Sequence, residues 1–250
     1  MQLAGQVVLI TGATGGIGGA TAHEMARAGA TVVLAGRDVE ALKKLAADVN
    51  GHPIPGELSD ADSVDRLVRS AEQFAGRIDV LINNAGRGYF GPMATMPDDE
   101  ITDLIRLNLT VPILLTRRVL PAMLRQGRGR IVFVGSIAGV VGVPHEAVYA
   151  AAKGGLAPFA DSLTDELAGT GVGVTMVLPA SVATSFFRKR GREYDRRVPK
   201  MLPPERLAAK IRAAIEADKQ RLFVPRWMHL PALLHGNVPG IYRALATRFG

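Results

Sequence analysis

An α/β fold, built on one doubly wound and mostly parallel sheet, follows from three observations. Short β-branched runs alternate with segments carrying apolar residues at helical spacing. Two of the runs, 7–10 and 131–134, are apolar at nearly every position, as strands covered on both faces require. A glycine-rich turn follows the first run directly and opens the first helical segment.

The elements fall in a regular order. Residues 7–11, 31–35, 79–83, 130–135, 173–178 and 221–224 read as strands, with a weaker one at 52–55. Between them, 16–29, 39–49, 61–74, 98–124, 149–168 and 204–217 read as helices. Parallel strands joined through helices need right-handed crossovers, which put helices on both faces of the sheet. No repeat or linker divides the 250 residues, and a chain of that length with 48% hydrophobic content buries a full core as one domain.

Composition excludes several classes of function. With no cysteine, there is no disulfide framework, thiolate nucleophile or thiolate metal site, and no metal site is expected. The opening residues carry no basic segment of the signal-peptide kind, so a cytoplasmic location is expected. The mostly apolar stretch 131–144 holds three glycines and is too short to cross a bilayer. The net charge of +7 is concentrated in 188–200, where seven basic residues meet two acidic ones. A solvated loop is the preferred reading of that cluster. Nucleic-acid binding is not expected, because Tyr194 is its single interleaved aromatic.

The turn after the first strand reads Thr11-Gly12-Ala13-Thr14-Gly15-Gly16-Ile17-Gly18. Its glycines permit positive φ and close approach to a pyrophosphate, while the next helix offers free N–H groups and its positive dipole end. That combination marks a Rossmann-type dinucleotide site. The second strand ends at Gly36-Arg37-Asp38. Gly36 stands where an acid would hold a ribose 2′-hydroxyl, and Arg37 suits a 2′-phosphate, so NADP(H) is preferred over NAD(H). Asp38 is expected to cap the following helix.

Tyr149 and Lys153 lie four apart on a helix and project from one face. A free tyrosine titrates at about 10 and is a poor base at neutral pH. A nearby ammonium favours phenolate, and the phenol can then exchange a proton with an alcohol or carbonyl oxygen. Ser136 follows an apolar strand, where ligands gather in open parallel sheets, and can hydrogen-bond the reacting oxygen. Pro112 denies the Asn108 carbonyl its helical donor, predicting a kink there and a seat for a relay water.

These motifs together, Thr11-Gly-x-x-x-Gly16-x-Gly18, Asn83-Asn84-Ala85-Gly86, Asn108, Ser136 and Tyr149-x-x-x-Lys153, closely resemble those of the short-chain dehydrogenase/reductase family. The resemblance covers nearly everything from Val7 to Val224. It implies a seven-stranded sheet, a tetrad of Asn108, Ser136, Tyr149 and Lys153, and a homodimer or homotetramer packed through 98–124 and 149–168. It also implies cofactor contacts from Thr11, Gly12, Thr14, Gly16, Ile17, Gly18, Arg37, Leu58, Asn84, Ala85 and Gly86. Tyr149 and Lys153 join them, with Lys153 on the nicotinamide ribose. The stretch Pro179-Ala180-Ser181-Val182-Ala183-Thr184 resembles the family's carboxamide-binding segment, with Pro179, Val182 and Thr184 as contacts and Ala180 in place of a glycine.

Glu57 replaces the family's adenine-contacting aspartate, and Pro158 should bend its helix at a cost of about 3 kcal/mol. Substrate contacts are expected from Ser136, Val143, His145, Tyr149 and Phe186, within an apolar pocket under a lid at 185–201. The lid is basic, which suits a hydrophobic substrate bearing an anionic group. The tail, 222–250, is apolar and basic, and is expected against the cleft, a partner subunit or a membrane surface. The expected activity is NADP(H)-dependent interconversion of a carbonyl and a secondary alcohol. An NADP-binding redox sensor without turnover is the alternative.

Overall fold

In the computed structural model, described for residues 1–195, 198–242 and 244, seven strands form one parallel sheet. They are β1 (Val7–Thr11), β2 (Thr31–Gly36), β3 (His52–Pro55), β4 (Val80–Asn83), β5 (Gly129–Val134), β6 (Val172–Pro179) and β7 (Arg221–Val224). The order across the sheet is β3-β2-β1-β4-β5-β6-β7, and every neighbouring pair is parallel. The helices are α1 (Gly16–Arg27), α2 (Val39–Val49), α3 (Ala61–Ala75), α4 (Asp98–Ile105) and α5 (Val111–Gln126). They continue as α6 (Ala138–Val141), α7 (Ala147–Glu166), α8 (Phe186–Lys189), α9 (Pro204–Glu216) and α10 (His229–Asn237).

The sheet is buried on both sides because alternate residues of each strand feed different cores. Leu9, Val33, Leu81, Ile131 and Phe133 pack with Leu67 of α3, Leu115 of α5 and Leu156 of α7. Val8, Ile10, Val32, Leu34, Ile82 and Val132 pack on the other face with Met25 of α1, Leu42 of α2 and Ile211 of α9. Helix ends follow local chemistry. Asp38 accepts from the Ala41 N–H at 3.0 Å and caps α2, as the sequence predicts, while Asp60 and Ser63 form a reciprocal capping box on α3.

The segment 98–124 departs from the simple kink expected of it. A π-helical turn, Arg106–Thr110, joins α4 to α5, and the Val111 N–H reaches back to the Arg106 carbonyl. Pro112, at the first turn of α5, lacks the donor that an α-helical pattern would use there, so the wider turn absorbs the mismatch. An 18-residue window of the combined helix Asp98–Gln126 reaches a mean hydropathy of 1.2, and the helix is long and apolar enough to cross a membrane. Its residues Val111, Leu115, Val119 and Met123 are instead buried against the sheet. Helix α7 runs on through Pro158.

Candidate active site

The cleft opens beyond the carboxyl ends of β1, β4, β5 and β6, where the strand order reverses around β1. It has a volume of about 300 Å³ and is bounded by Ile17, Asn84, Gly86, Ser136, Tyr149 and Lys153, with Pro179, Val182 and Thr184 opposite.

At one end lies the glycine turn. Gly12 has φ +63, which glycine adopts without strain. A Cβ on Gly18 would sit 2.2 Å from the Gly12 carbonyl, and one on Gly16 would sit 2.4 Å from Thr184 Cγ2. The glycines are thus dictated by close packing within the turn and against the segment after β6. Helix α1 begins at Gly16 with no side-chain cap and no acid in its first turn, leaving N–H donors for an anion. The residues at this end fit a dinucleotide pyrophosphate.

Two residues expected to contact the cofactor also have structural partners. The Thr11 hydroxyl is buried, donates to the Ile82 carbonyl at 3.3 Å, and accepts the N–H groups of Asn84 and Ala85 at 3.1 and 3.0 Å. It ties the turn to β4 rather than facing the cleft. Leu58 packs against the core. The Asn84 side chain donates to the carbonyls of Thr11 and Gly12 and supports the same turn. Thr14 and Gly36 approach each other, with Arg37 exposed beyond them. Arg37 and Glu57 form an ion pair at 3.4 Å, an arrangement not foreseen from either residue alone.

At the other end the four predicted catalytic residues converge, all buried. Ser136 Oγ accepts the Ala138 N–H at 3.1 Å and lies close enough to the Tyr149 phenol to influence it. Lys153 Nζ donates to the Val134 carbonyl at 2.9 Å. Asn108 Nδ2 donates to the carbonyls of Arg87 and Leu104 at 2.9 and 3.0 Å, while its Oδ1 is buried without a partner. Gly86 separates the last two, since a Cβ there would lie 2.6 Å from Asn108 Oδ1 and 3.3 Å from Lys153 Nζ.

Burial dominates the electrostatics of Tyr149 and Lys153. Burial, more than any neighbour, sets the Tyr149 phenol and pushes it above the ordinary tyrosine value. Ser136 opposes that shift, Glu146 adds to it, and Arg190 opposes it. Burial also lowers Lys153 to about 8. Among the chain's own groups, burial is thus the dominant influence on the Tyr149 phenol.

The substrate end is largely apolar. Phe186 lies 5.6 Å from the Tyr149 ring, and Val143 packs beside them. His145, at φ +66, is exposed at the cleft margin with its ring 5.2 Å from Phe90. The 185–201 segment forms one wall and carries α8; Arg196 and Arg197 lie outside the described residues. Sequence reasoning missed Arg190 of this segment, which forms a buried ion pair with Glu146. One signal was available, because Glu146 is the only acid between Arg130 and Lys153. The tail contributes Met228 and Tyr242 to the cleft, so its expected packing there is present in part. Arg243 and residues 245–250, including Leu245, Arg248 and Phe249, lie outside the described residues.

A parallel sheet with a glycine turn at one end of its cleft and a buried Ser-Tyr-Lys-Asn group at the other is the arrangement of a Rossmann-type dinucleotide-binding protein. The short chain dehydrogenase family model matches residues 6–195, and the chain belongs to the short-chain dehydrogenase/reductase family. The ketoacyl reductase HetN of a Nostoc species is 39% identical over 186 residues, covering 72% of this chain and 65% of that protein. This chain thus spans just under two thirds of that relative's length. A short-chain dehydrogenase from Sphingobium yanoikuyae, solved in complex with NADPH, superposes with a TM-score of 0.83 at 28% identity, covering 94% and 96% of the two chains. A 3-ketoacyl-(acyl-carrier-protein) reductase from Brucella melitensis, complexed with NADH, gives a TM-score of 0.82 at 26% identity, covering 89% and 97%. Similar proteins thus hold either nicotinamide.

Proposed function

We propose that this protein is an NADPH-dependent carbonyl reductase acting on a hydrophobic ketone. The observation that carries this reading is the Tyr149 phenol, buried beside Ser136 and Lys153 at an apolar-walled cleft. A protonated phenol is the general acid that carbonyl reduction needs. Likeness to a ketoacyl reductase supports the same direction.

The nicotinamide, when bound, supplies the hydride that reaches the carbonyl carbon. The chain's own residues do the rest. The α1 N-terminus and the glycine turn hold the pyrophosphate. Pro179, Val182 and Thr184 meet the nicotinamide end, and Lys153 the adjoining ribose. Ser136 holds the substrate oxygen by hydrogen bonding, and Tyr149 gives that oxygen its proton. Lys153, lowered to about 8, holds a proton that it can release to the phenolate near neutral pH. The unpaired Oδ1 of Asn108 is an acceptor for the water that links Lys153 to solvent.

Preference for NADPH rests on Gly36 and Arg37. The Arg37–Glu57 pair is exposed, with 70% and 66% of the side chains accessible, and a pair in that setting is weak enough for a 2′-phosphate to displace. In the substrate wall Arg190 is neutralised by Glu146, which favours an uncharged hydrophobic substrate over an anionic one. Enzymatic turnover is favoured over a sensor role because a pure binding protein has no use for a buried phenol and amine on one helical face.

The test is NADPH oxidation against a panel of short and long ketones, with wild type and Tyr149→Phe compared. The reading predicts turnover on apolar ketones and a loss of about 10² to 10⁴ in kcat for the variant, with NADPH affinity retained. Binding of NADPH with no turnover on any carbonyl would return the sensor reading.

A further inference from the structure

Helix α10 carries Leu230, Leu233 and Leu234, and none of its residues is buried. Trp227 before it and Val238 and Ile241 after it are exposed as well. Val198 and Met201 of the neighbouring lid are also exposed. Eight of the twelve large hydrophobic side chains exposed among the described residues therefore fall between 198 and 241. An apolar surface of that concentration marks a contact site.

Charge selects the partner. From Lys219 to Gly250 the sequence has five lysines and arginines, two histidines and no acid. Arg226 and His229 are exposed beside the apolar stripe, and Arg188, Lys189, Arg192 and Lys200 are exposed on the lid. A second copy of this chain would present the same positive segment and be repelled, whereas an anionic lipid surface complements it.

The same segment borders the cleft. His235 meets Tyr242 edge-on at 5.1 Å, and Tyr242 and Met228 line the cavity above Tyr149. We propose that α10 and the lid dock this protein on an anionic membrane surface. The apolar stripe enters the headgroup boundary, and the mouth of the cleft faces the lipid. Its substrate is then a membrane-dissolved ketone with a long hydrocarbon chain. That last step rests on the reductase reading above, whereas the docking does not.

The experiment is co-sedimentation of the full chain with vesicles of phosphatidylcholine containing 30% phosphatidylglycerol, and with phosphatidylcholine alone, at low and physiological salt. Sedimentation velocity of wild type and the double variant Leu233→Glu/Leu234→Glu runs in parallel. Wild type should partition at least tenfold better onto the anionic vesicles, less so as salt rises. The double variant should lose at least tenfold of that partition and keep its NADPH affinity and its rate on a short, water-soluble ketone. Absence of wild-type binding at low salt, or equal binding by the variant, overturns the proposal. So does a wild-type dimer that the double variant dissociates, which would assign the stripe to a second copy. Vesicle binding without turnover of any ketone would leave the docking intact and reject the reductase reading alone.

Discussion

Arg190 and Glu146, the latter three residues ahead of Tyr149 in the chain, form an ion pair of which less than a tenth of either side chain is accessible. The guanidinium also lies over Phe187 at 4.7 Å and over Phe90 at 5.3 Å from the ring centroids. The 185–201 segment is thus fastened to the wall beside the Tyr149 phenol by a charge pair shielded from water.

Removing one partner should cost more than removing both. Glu146→Gln leaves a buried guanidinium without its counter-charge and should lower stability by about 3 to 5 kcal/mol. The double variant Glu146→Leu/Arg190→Met should recover most of that loss. Urea denaturation of the four proteins closes the cycle; two additive single losses would mean the residues act independently.

Stability should rise and then fall with pH in the alkaline range. Lys153 is lowered to about 8 in the folded chain against an ordinary 10.5, so between those values the unfolded chain binds more protons. Folding is therefore favoured increasingly as pH climbs from 8 towards 10. Tyr149 is raised above its ordinary 10.0, so the unfolded phenol ionises first and stability drops beyond pH 10. Lys153→Met should flatten the rising limb, on the order of 1 to 3 kcal/mol, and Tyr149→Phe the falling one. Denaturant midpoints at half-unit pH steps provide the comparison.

Arg37 and Glu57 should have opposite effects on cofactor choice. Arg37→Ala should cost at least a tenfold NADPH preference, about 1.4 kcal/mol, with NADH affinity unchanged. Glu57→Gln frees the guanidinium and should tighten NADPH by up to about fivefold, the worth of an exposed pair. Calorimetric titration of both nucleotides reads each change. Tighter NADH than NADPH binding by wild type would reject the role given to Gly36 and Arg37.

Gly139 should be intolerant of a single methyl group. A Cβ there would lie 2.5 Å from both the Gly154 nitrogen and the Lys153 carbonyl carbon, the helix segment that positions Lys153. Gly139→Ala should push α7 away, lowering kcat at least tenfold and stability by about 1 to 3 kcal/mol. Gly236→Ala, with open space around its added carbon, should do neither. Steady-state kinetics and thermal unfolding of the pair decide the matter.

The sheet and the clustering of Ser136, Tyr149 and Lys153 were legible because their signals are local. β-branched runs mark the strands, three glycines mark the phosphate turn, and a four-residue spacing sets Tyr149 and Lys153 on one face. What escaped depends on tertiary contact. Glu146 and Arg190 are 44 residues apart, and no periodicity connects them. Thr11 sits within the recognisable turn, yet its hydroxyl is used by backbone groups from Ile82 to Ala85. The disturbance around Asn108 was foreseen from Pro112, but its form, a widened turn and not a sharp bend, depends on how the two helical halves pack. The direction of the Tyr149 shift needed the depth of burial, which spacing alone does not reveal.

Strand β3 has a further consequence for how these molecules behave together. The Gly56 N–H, just past its end, points inward to the Gly36 carbonyl at 2.9 Å. Alternation then turns positions 53 and 55 outward, and both are proline. The outer rim of the sheet on that side therefore offers no amide hydrogen at either position, and another strand laid along it finds its ladder broken. The opposite rim, at β7, has no proline within Arg221–Val224. Fibrillar growth by strand addition needs two complementary rims on each molecule, so here it would stop at a single step.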